Sequence, residues 1–335
     1  MNKKKVIIFK NDRTGDLFTS LNAINKIINK HENDYIEIFL SKLNYKFNFI
    51  LSRINYRVFN INLSIVEKFI IFFYFIKNDV DTAYILAPKN FYYYLPLLFP
   101  KTKFYGITIK AKRNRPANFL IKYLFKYVII DRINIKKRNS TYNIQEKLID
   151  FENDKNFLNL SIKKNFDFVL PKNYIFFHYK LSLFKNLLKW DLNKIDEFIN
   201  FLSKKHENIV FTSELNNDKL NNHFINKYAT YDFKTGVSKN LDSGNIVFLN
   251  NLDGENLFYI IKNSRKIISP EGIMTHIGYC SKIRTLALLH FNLKNSEDFK
   301  SQIISCKEWF PPDNYQYCVL KKNFKDSIRK LQNRI

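Results

Sequence analysis

Short apolar runs alternate with longer amphipathic stretches along most of this chain, and no other feature constrains its fold as tightly. A run of four to six apolar residues, followed by a segment with apolar positions three and four apart, reads as a strand and then a helix. Repeated βαβ units of this kind close into parallel sheets covered by helices. In the first half Val6–Phe9 reads as a strand, and the spacing of Leu17, Leu21, Ile24 and Ile28 predicts a helix over Leu17–Asn29. Tyr35–Leu40, Thr82–Leu86 and Lys103–Ile109 read as strands, and Phe119–Ile130 as a helix. In the second half the strands are Tyr174–His178, Ile209–Thr212, Ile246–Leu249, Lys266–Ser269 and Arg284–His290. The helices there are Asn193–Ser203, Glu255–Asn263, Glu297–Ser305 and Phe324–Gln332.

At 335 residues the chain accommodates two domains of ordinary size. The polar, aperiodic stretch Asn153–Pro171 is the natural join. The expectation is two successive doubly wound α/β domains, over residues 1–165 and 170–320, facing across a cleft. A helical segment over residues 321–335 is expected to pack back on the first domain. In such sheets ligands bind at the carboxyl ends of the strands.

The net charge of +25, from 55 Lys and Arg against 30 Asp and Glu, has two readings. One is a basic surface for phosphate-rich partners: nucleic acid, anionic lipid or a nucleotide-sugar. The other is codon bias, because Lys, Asn, Ile, Phe and Tyr share A/T-rich codons, and most of the excess is assigned to it. Cys280, Cys306 and Cys318 are odd in number and lack CxxC spacing, which argues against a disulfide framework or a zinc site and fits a reducing cytoplasm. The six histidines lack metal spacing. The first apolar run, four residues long, falls short of the roughly 7–15 of a signal peptide. The longest, Phe69–Ile76, falls short of the ~20 of a membrane span. A cytoplasmic protein, soluble or peripheral, is expected.

Three segments carry candidate chemistry. Asn11-Asp12-Arg13-Thr14-Gly15-Asp16 separates the first strand from the first helix. Gly15 permits a tight turn there. Asp16 at the helix start can cap the helix, or it can face the cleft and take a proton from a hydroxyl. Ser269-Pro270-Glu271-Gly272-Ile273-Met274-Thr275-His276 follows a strand and opens a helix. It is either a capped turn with a half-buried histidine or an anion site on free N–H groups, suited to a diphosphate. Lys189-Trp190 follows the first strand of the second half. It is either a solvated lysine beside an anchoring tryptophan or a cation that neutralises a departing phosphate. Asp79-Val80-Asp81 spells a DxD pattern but precedes its strand and reads as solvated. The basic run Lys110–Arg115, with Lys112, Arg113 and Arg115, is either a solvated loop or a grip for acceptor phosphates or lipid headgroups. There is no Walker A motif, no GxSxG and no GxGxxG.

In this order and context, FKNDRTGDLFTSLNAI, LLKWDL and LFYIIKNSRKIISPEGIMTHIGYCSKIRTLALL resemble glycosyltransferase family 9, the lipopolysaccharide heptosyltransferases. The resemblance runs from about Val6 to Ser305. It implies a GT-B fold of two Rossmann-like domains, the first holding the acceptor and the second a nucleotide-sugar. Asp16 matches the family's catalytic aspartate and Lys189 its phosphate-binding lysine. Pro270 and His276 match the ends of its late motif, with Gly272, Ile273 and Thr275 at the donor phosphates between them. Glu271 stands where the family has aspartate, at the donor nucleotide. By the resemblance, Glu214 stands for a glutamate that contacts the donor ribose, with Asp218 as rival. Arg13, Gly15, Lys112, Arg113 and Arg115 fall on the acceptor side. Ungapped, the family's Asp-Thr-Gly is Glu271-Gly272-Ile273 here, so the surroundings of the donor phosphates differ.

The expected activity is inverting transfer of a sugar, heptose first, to a lipopolysaccharide-core or related surface glycan. The donor is a nucleotide-diphosphate sugar, ADP-linked by the resemblance, with no metal and no other cofactor. The expected enzyme is a monomer that binds no nucleic acid and works at the inner face of the inner membrane. Three alternatives stay open: another donor sugar, a non-catalytic basic anion- or nucleic-acid-binding protein, and an inactive relative.

Overall fold

The computed structural model describes residues 3–51, 54–108, 117–130, 148, 163–214, 218–240, 245–291, 303 and 309–335. The chain divides into two compact units, Met1–Leu160 with Ile303–Phe310, and Ser161–Gln302 with Pro311–Ile335.

The first unit holds β1 (Lys5–Lys10), α1 (Thr14–Thr19), α2 (Leu21–Lys30), β2 (Tyr35–Ser41), α3 (Lys42–Tyr45) and β3 (Asn55–Phe59). These are followed by α4 (Ile65–Asn78), β4 (Thr82–Ile85), α5 (Leu95–Leu98), β5 (Lys103–Thr108), α6 (Asn118–Leu124) and β6 (Tyr127–Ile130). The six strands form one sheet in the order β3-β2-β1-β4-β5-β6, every pair parallel. β1 is central, and Val6 to Phe9 are fully buried, as a strand covered on both faces requires. Ile71, Tyr74 and Phe75 of α4, Leu95 of α5 and Ile121 of α6 join one cluster over one face of this sheet.

The second unit holds β7 (Ile175–His178), α7 (Leu192–Lys205), β8 (Ile209–Thr212), α8 (Asp218–Lys227), β9 (Ala229–Asp232), β10 (Ser238–Lys239) and β11 (Ile246–Asn250). It continues with α9 (Gly254–Lys262), β12 (Lys266–Pro270), α10 (Ile273–Cys280), β13 (Arg284–Leu289), β14 (Tyr315–Val319) and α11 (Phe324–Gln332). Its sheet runs β10-β9-β11-β8-β7-β12-β13-β14, parallel except for the β10–β9 hairpin pair.

Several elements depart from the sequence reading. The helix expected over Leu17–Asn29 is two helices, broken at Ser20. The hydroxyls of Thr19 and Ser20 both donate to the Asp16 carbonyl, at 2.9 and 2.8 Å, and such back-bonding bends helices. Phe119–Ile130 is a short helix and then the edge strand β6. Aromatic and β-branched Tyr127-Val128-Ile129-Ile130 favour the strand. The terminal helix α11 was expected to pack on the first domain. It belongs to the second unit, where Leu331 joins the core and the Trp190 indole donates to the Lys322 carbonyl at 3.1 Å. The helix expected over Glu297–Ser305 and the basic run Lys110–Arg115 lie outside the described residues, apart from Ile303.

Candidate functional site

Connections leave neighbouring strands in opposite directions between β1 and β4 in the first unit, and between β7 and β12 in the second. Ligands bind at such switch points because the connecting loops diverge there and leave a crevice. Asp16 and the residues around Gly272 lie at these two places.

In the first unit, the loop after β1 is fixed from beneath. The buried Lys10 ammonium pairs with Asp12 at 2.8 Å. Asn44 of α3 donates to the Lys10 carbonyl at 2.8 Å, and Ser41 donates to the Asp12 carbonyl at 2.7 Å. Asn11 donates to the Asn60 carbonyl at 3.0 Å and accepts from the Tyr92 hydroxyl at 2.7 Å. Arg13, not Asp16, is the N-cap of α1, and its side chain makes no capping bond. Gly15 has no left-handed backbone and lies within α1, so the turn does not require glycine there.

Asp16 is the third residue of α1 and partly buried. Among the described residues its carboxylate has no ion pair or hydrogen bond, whereas that of Asp12 is engaged. Lys89, after β4, feels the charges of both carboxylates, and burial pulls its ammonium below the ordinary lysine range. Burial, reinforced by Asp16, pushes Asp12 upward against the pull of Lys10. This edge therefore holds one engaged carboxylate, one free carboxylate and a partly buried ammonium. Lys89 was not singled out in the sequence, where nothing separates it from the other lysines.

In the second unit, the turn between β12 and α10 is the centre. Gly272 has φ +146° and ψ −152°, a region open in practice to glycine alone. It is the N-cap of α10, and no side chain caps the helix, so first-turn N–H groups remain for a ligand. Thr275 instead turns inward, its hydroxyl donating to the Gly272 carbonyl at 2.7 Å and its N–H at 3.1 Å. Gly278 lets α10 press against the sheet: a Cβ there would lie 2.4 Å from Thr285 Oγ1 and 2.5 Å from Ile267 Cδ1. Buried His276 is lowered to about 4 by burial, and so is neutral near pH 7. Glu271 is raised by burial, against the pull of Lys180.

The lysine at this turn is Lys180. It lies two residues after β7, its ammonium donates to the Glu271 carbonyl at 3.4 Å, and that ammonium lies 3.7 Å from where a Cβ on Gly272 would stand. Lys189 is exposed in left-handed backbone (φ +60°), after the π-helical turn Ser182–Leu187. Its neighbour Trp190 is anchored in the core. The carboxylate of Glu214 accepts the Leu181 N–H at 3.0 Å and so holds the turn that carries Lys180. His178 ends β7 beside Thr212. Burial lowers it to about 3, and its Nδ1 has no partner among the described residues. Position after the unit's first strand was the signal that could have found Lys180. Among the described residues no group of three or more His, Cys, Asp or Glu could hold a metal ion. Asp81 accepts the Lys5 N–H at 2.7 Å where β1 and β4 begin, away from the switch point.

No protein-family profile and no curated protein sequence matches the chain. Solved structures do. A glycosyl transferase family 9 protein from Veillonella parvula superposes with a TM-score of 0.63 at 11% identity, over 99% of this chain and 90% of that one. The ADP-heptose lipopolysaccharide heptosyltransferase II of E. coli gives 0.60 at 12% identity, over 98% of each chain. A UDP-GlcNAc 2-epimerase from Methanocaldococcus jannaschii gives 0.53 at 15% identity, over 99% and 92%. At these identities the likeness is one of fold: the chain has the two-domain α/β architecture of the GT-B class, shared with family 9 glycosyltransferases and heptosyltransferases.

Proposed function

We propose that this chain is an inverting glycosyltransferase that moves a sugar from a nucleotide-diphosphate donor to a glycan hydroxyl. The observation that carries the reading is the Lys180–Gly272 arrangement. An ammonium and an uncapped helix N-terminus converge at the switch point of one Rossmann-like unit, where a diphosphate is held in such folds. Asp16, whose carboxylate has no hydrogen bond or ion pair among the described residues, stands after the first strand of the other unit.

The acceptor oxygen attacks the anomeric carbon while its proton passes to the Asp16 carboxylate. The bond from the anomeric carbon to the phosphate oxygen breaks, and the electron pair leaves with the nucleoside diphosphate. Lys180 and the first-turn amides of α10 stabilise that growing charge. They supply positive charge where other transferases use a divalent ion, so turnover is expected without metal. Neutral His276 and His178 add hydrogen-bonding capacity but no charge. Asp12, bound to Lys10, holds the loop. The neighbouring structures include an ADP-heptose enzyme, which supports an ADP-linked heptose and a lipid-linked lipopolysaccharide-core acceptor as the first substrates to test. Glu271, half-buried where the resemblance places an aspartate, makes another donor sugar the second reading.

A thermal-shift panel of ADP-, UDP-, GDP- and CMP-linked sugars tests this, because a ligand bound only by the native state raises its midpoint by mass action. One nucleotide should stand out, and Lys180→Ala should abolish its shift. A panel in which none raises the midpoint overturns the reading. Stabilisation by nucleic acid instead would return the chain to the non-catalytic alternative.

A further inference from the structure

Helix α4 is apolar on nearly all sides, a pattern that requires cover all round. Its inner side, Ile71, Tyr74 and Phe75, is buried on the sheet. Its outer side, Ile65, Val66, Phe69, Ile70, Phe73 and Ile76, is exposed, with Ile65 at 71%, Phe69 at 57% and Phe73 at 59%. These positions follow helical spacing and form one stripe along the helix. Phe99, at the end of α5, packs on Phe72 and Phe75 of α4 with ring centroids 5.5 and 5.1 Å apart. Beside it Leu97 and Leu98 are half exposed. On α6, over the same sheet face, Phe119 and Tyr123 are exposed at 71% and 87%. Contiguous exposed apolar surface of this extent marks an interaction site.

The charges around the stripe select its occupant. Residues 65–81, 95–103 and 117–127, which carry the three helices and the turns after α4 and α5, hold six lysines (Lys68, Lys77, Lys101, Lys103, Lys122 and Lys126) against three acids, Glu67, Asp79 and Asp81. Two of the acids are engaged: Glu67 accepts the N–H groups of Ser64 and Asn60, each at 2.7 Å, and Asp81 that of Lys5 at 2.7 Å. A second copy seated here would set lysines against lysines between two chains of net charge +25. An anionic bilayer surface complements both properties, since headgroups meet the lysines and the acyl boundary meets the aromatic and aliphatic stripe. No described helix is long and apolar enough to cross a membrane, so α4 would lie in the interface plane.

We propose that the outer face of α4, with the neighbouring surfaces of α5 and α6, seats the amino-terminal unit on an anionic lipid bilayer. This deepens the reading of a lipid-linked acceptor but depends only on the surface. Lipid binding and sugar transfer can therefore fail independently, and a soluble acceptor analogue keeps the two assays apart.

The test is co-sedimentation of the full chain with vesicles of phosphatidylcholine alone and of phosphatidylcholine mixed with phosphatidylglycerol, at low and high salt. Light scattering of the free protein accompanies it. Binding is expected only to the mixed vesicles and should weaken with salt. The double variant Phe69→Ser/Phe73→Ser should lose about tenfold or more in partitioning with its unfolding midpoint unchanged, as both side chains are exposed. Lys77→Gln/Lys122→Gln/Lys126→Gln should lower binding to mixed vesicles. No binding to mixed vesicles, or binding indifferent to the Phe69/Phe73 change, overturns the proposal. So does a dimer of the native chain that the Phe69/Phe73 variant dissociates, because the face would then join two copies.

Discussion

The Lys180 ammonium donates to the main-chain oxygen of Glu271 across 3.4 Å, tying the end of β7 to the turn that opens α10. An incoming diphosphate would meet an ammonium already beside the helix N-terminus. Lys180→Ala is therefore expected to lower kcat by about a hundredfold or more, on the scale of roughly 2.7–4 kcal/mol for loss of one electrostatic stabiliser. Lys189→Ala is expected to change it less than about threefold, the behaviour of a solvated lysine. Steady-state kinetics with the donor from the thermal-shift panel separates the two lysines.

Asp16 and Asp12 differ in what they touch, and their variants should differ in kind. Asp16→Asn keeps size and removes the base, so kcat should fall by at least about a hundredfold, with stability within about 0.5 kcal/mol of the parent. Asp12→Asn leaves the buried Lys10 ammonium without its counter-charge and should cost about 3 kcal/mol or more of stability. Urea unfolding beside turnover checks both. A fully active Asp16→Asn would remove it from the chemistry.

The two glycines around α10 make separable predictions. Gly272→Ala forces a side chain into a backbone region that L-residues avoid and should cost about 1–3 kcal/mol, with weaker nucleotide binding. Gly278→Ala drives a methyl into Thr285 and Ile267 and should cost about 1–3 kcal/mol by overpacking. Both costs are read as a shift of the urea midpoint at unchanged slope.

Stability should fall on mild acidification. His276 and His178 are lowered by burial to about 4 and about 3, from an ordinary 6.5. Below pH 6.5 the unfolded chain therefore binds protons that the native state refuses. Their contribution is complete above that value and is lost as pH falls toward 4 and then 3. Glu271, raised from 4.5 by burial, acts in the opposite sense just above 4.5. Urea midpoints should drop from pH 7 to pH 5, and His276→Gln should flatten that slope. Midpoints constant over the range would contradict the burial of these imidazoles.

Legibility in the sequence followed burial. The central strands β1, β7, β8, β11, β12 and β13 were read because both faces are covered and their apolar runs are continuous. Edge strands were missed. β3 (NYRVF) buries only Phe59, and β14 is largely half-exposed, so neither stands out by apolarity. Helix α4 was read only as an apolar run, because its outer stripe hides the periodicity that normally announces an amphipathic helix. Gly15-Asp16 and Gly272 drew attention as rare residues in meaningful places. Lys180 and Lys89 did not: in a chain so rich in lysine, Lys180 is marked only by its place after the first strand of the second unit, and nothing in the sequence separates Lys89 from the other lysines.

Gly278 has a wider consequence for recognition. The helix that would receive the phosphates is wedged against β12 and β13 at Gly278, where a side chain would collide with Thr285 and Ile267. Its amide dipoles are thus oriented when the chain folds rather than when the ligand arrives. Nucleotide binding would then lose little conformational entropy at this end of the site, and donor selectivity would fall to the less constrained groups around it, Glu271 foremost.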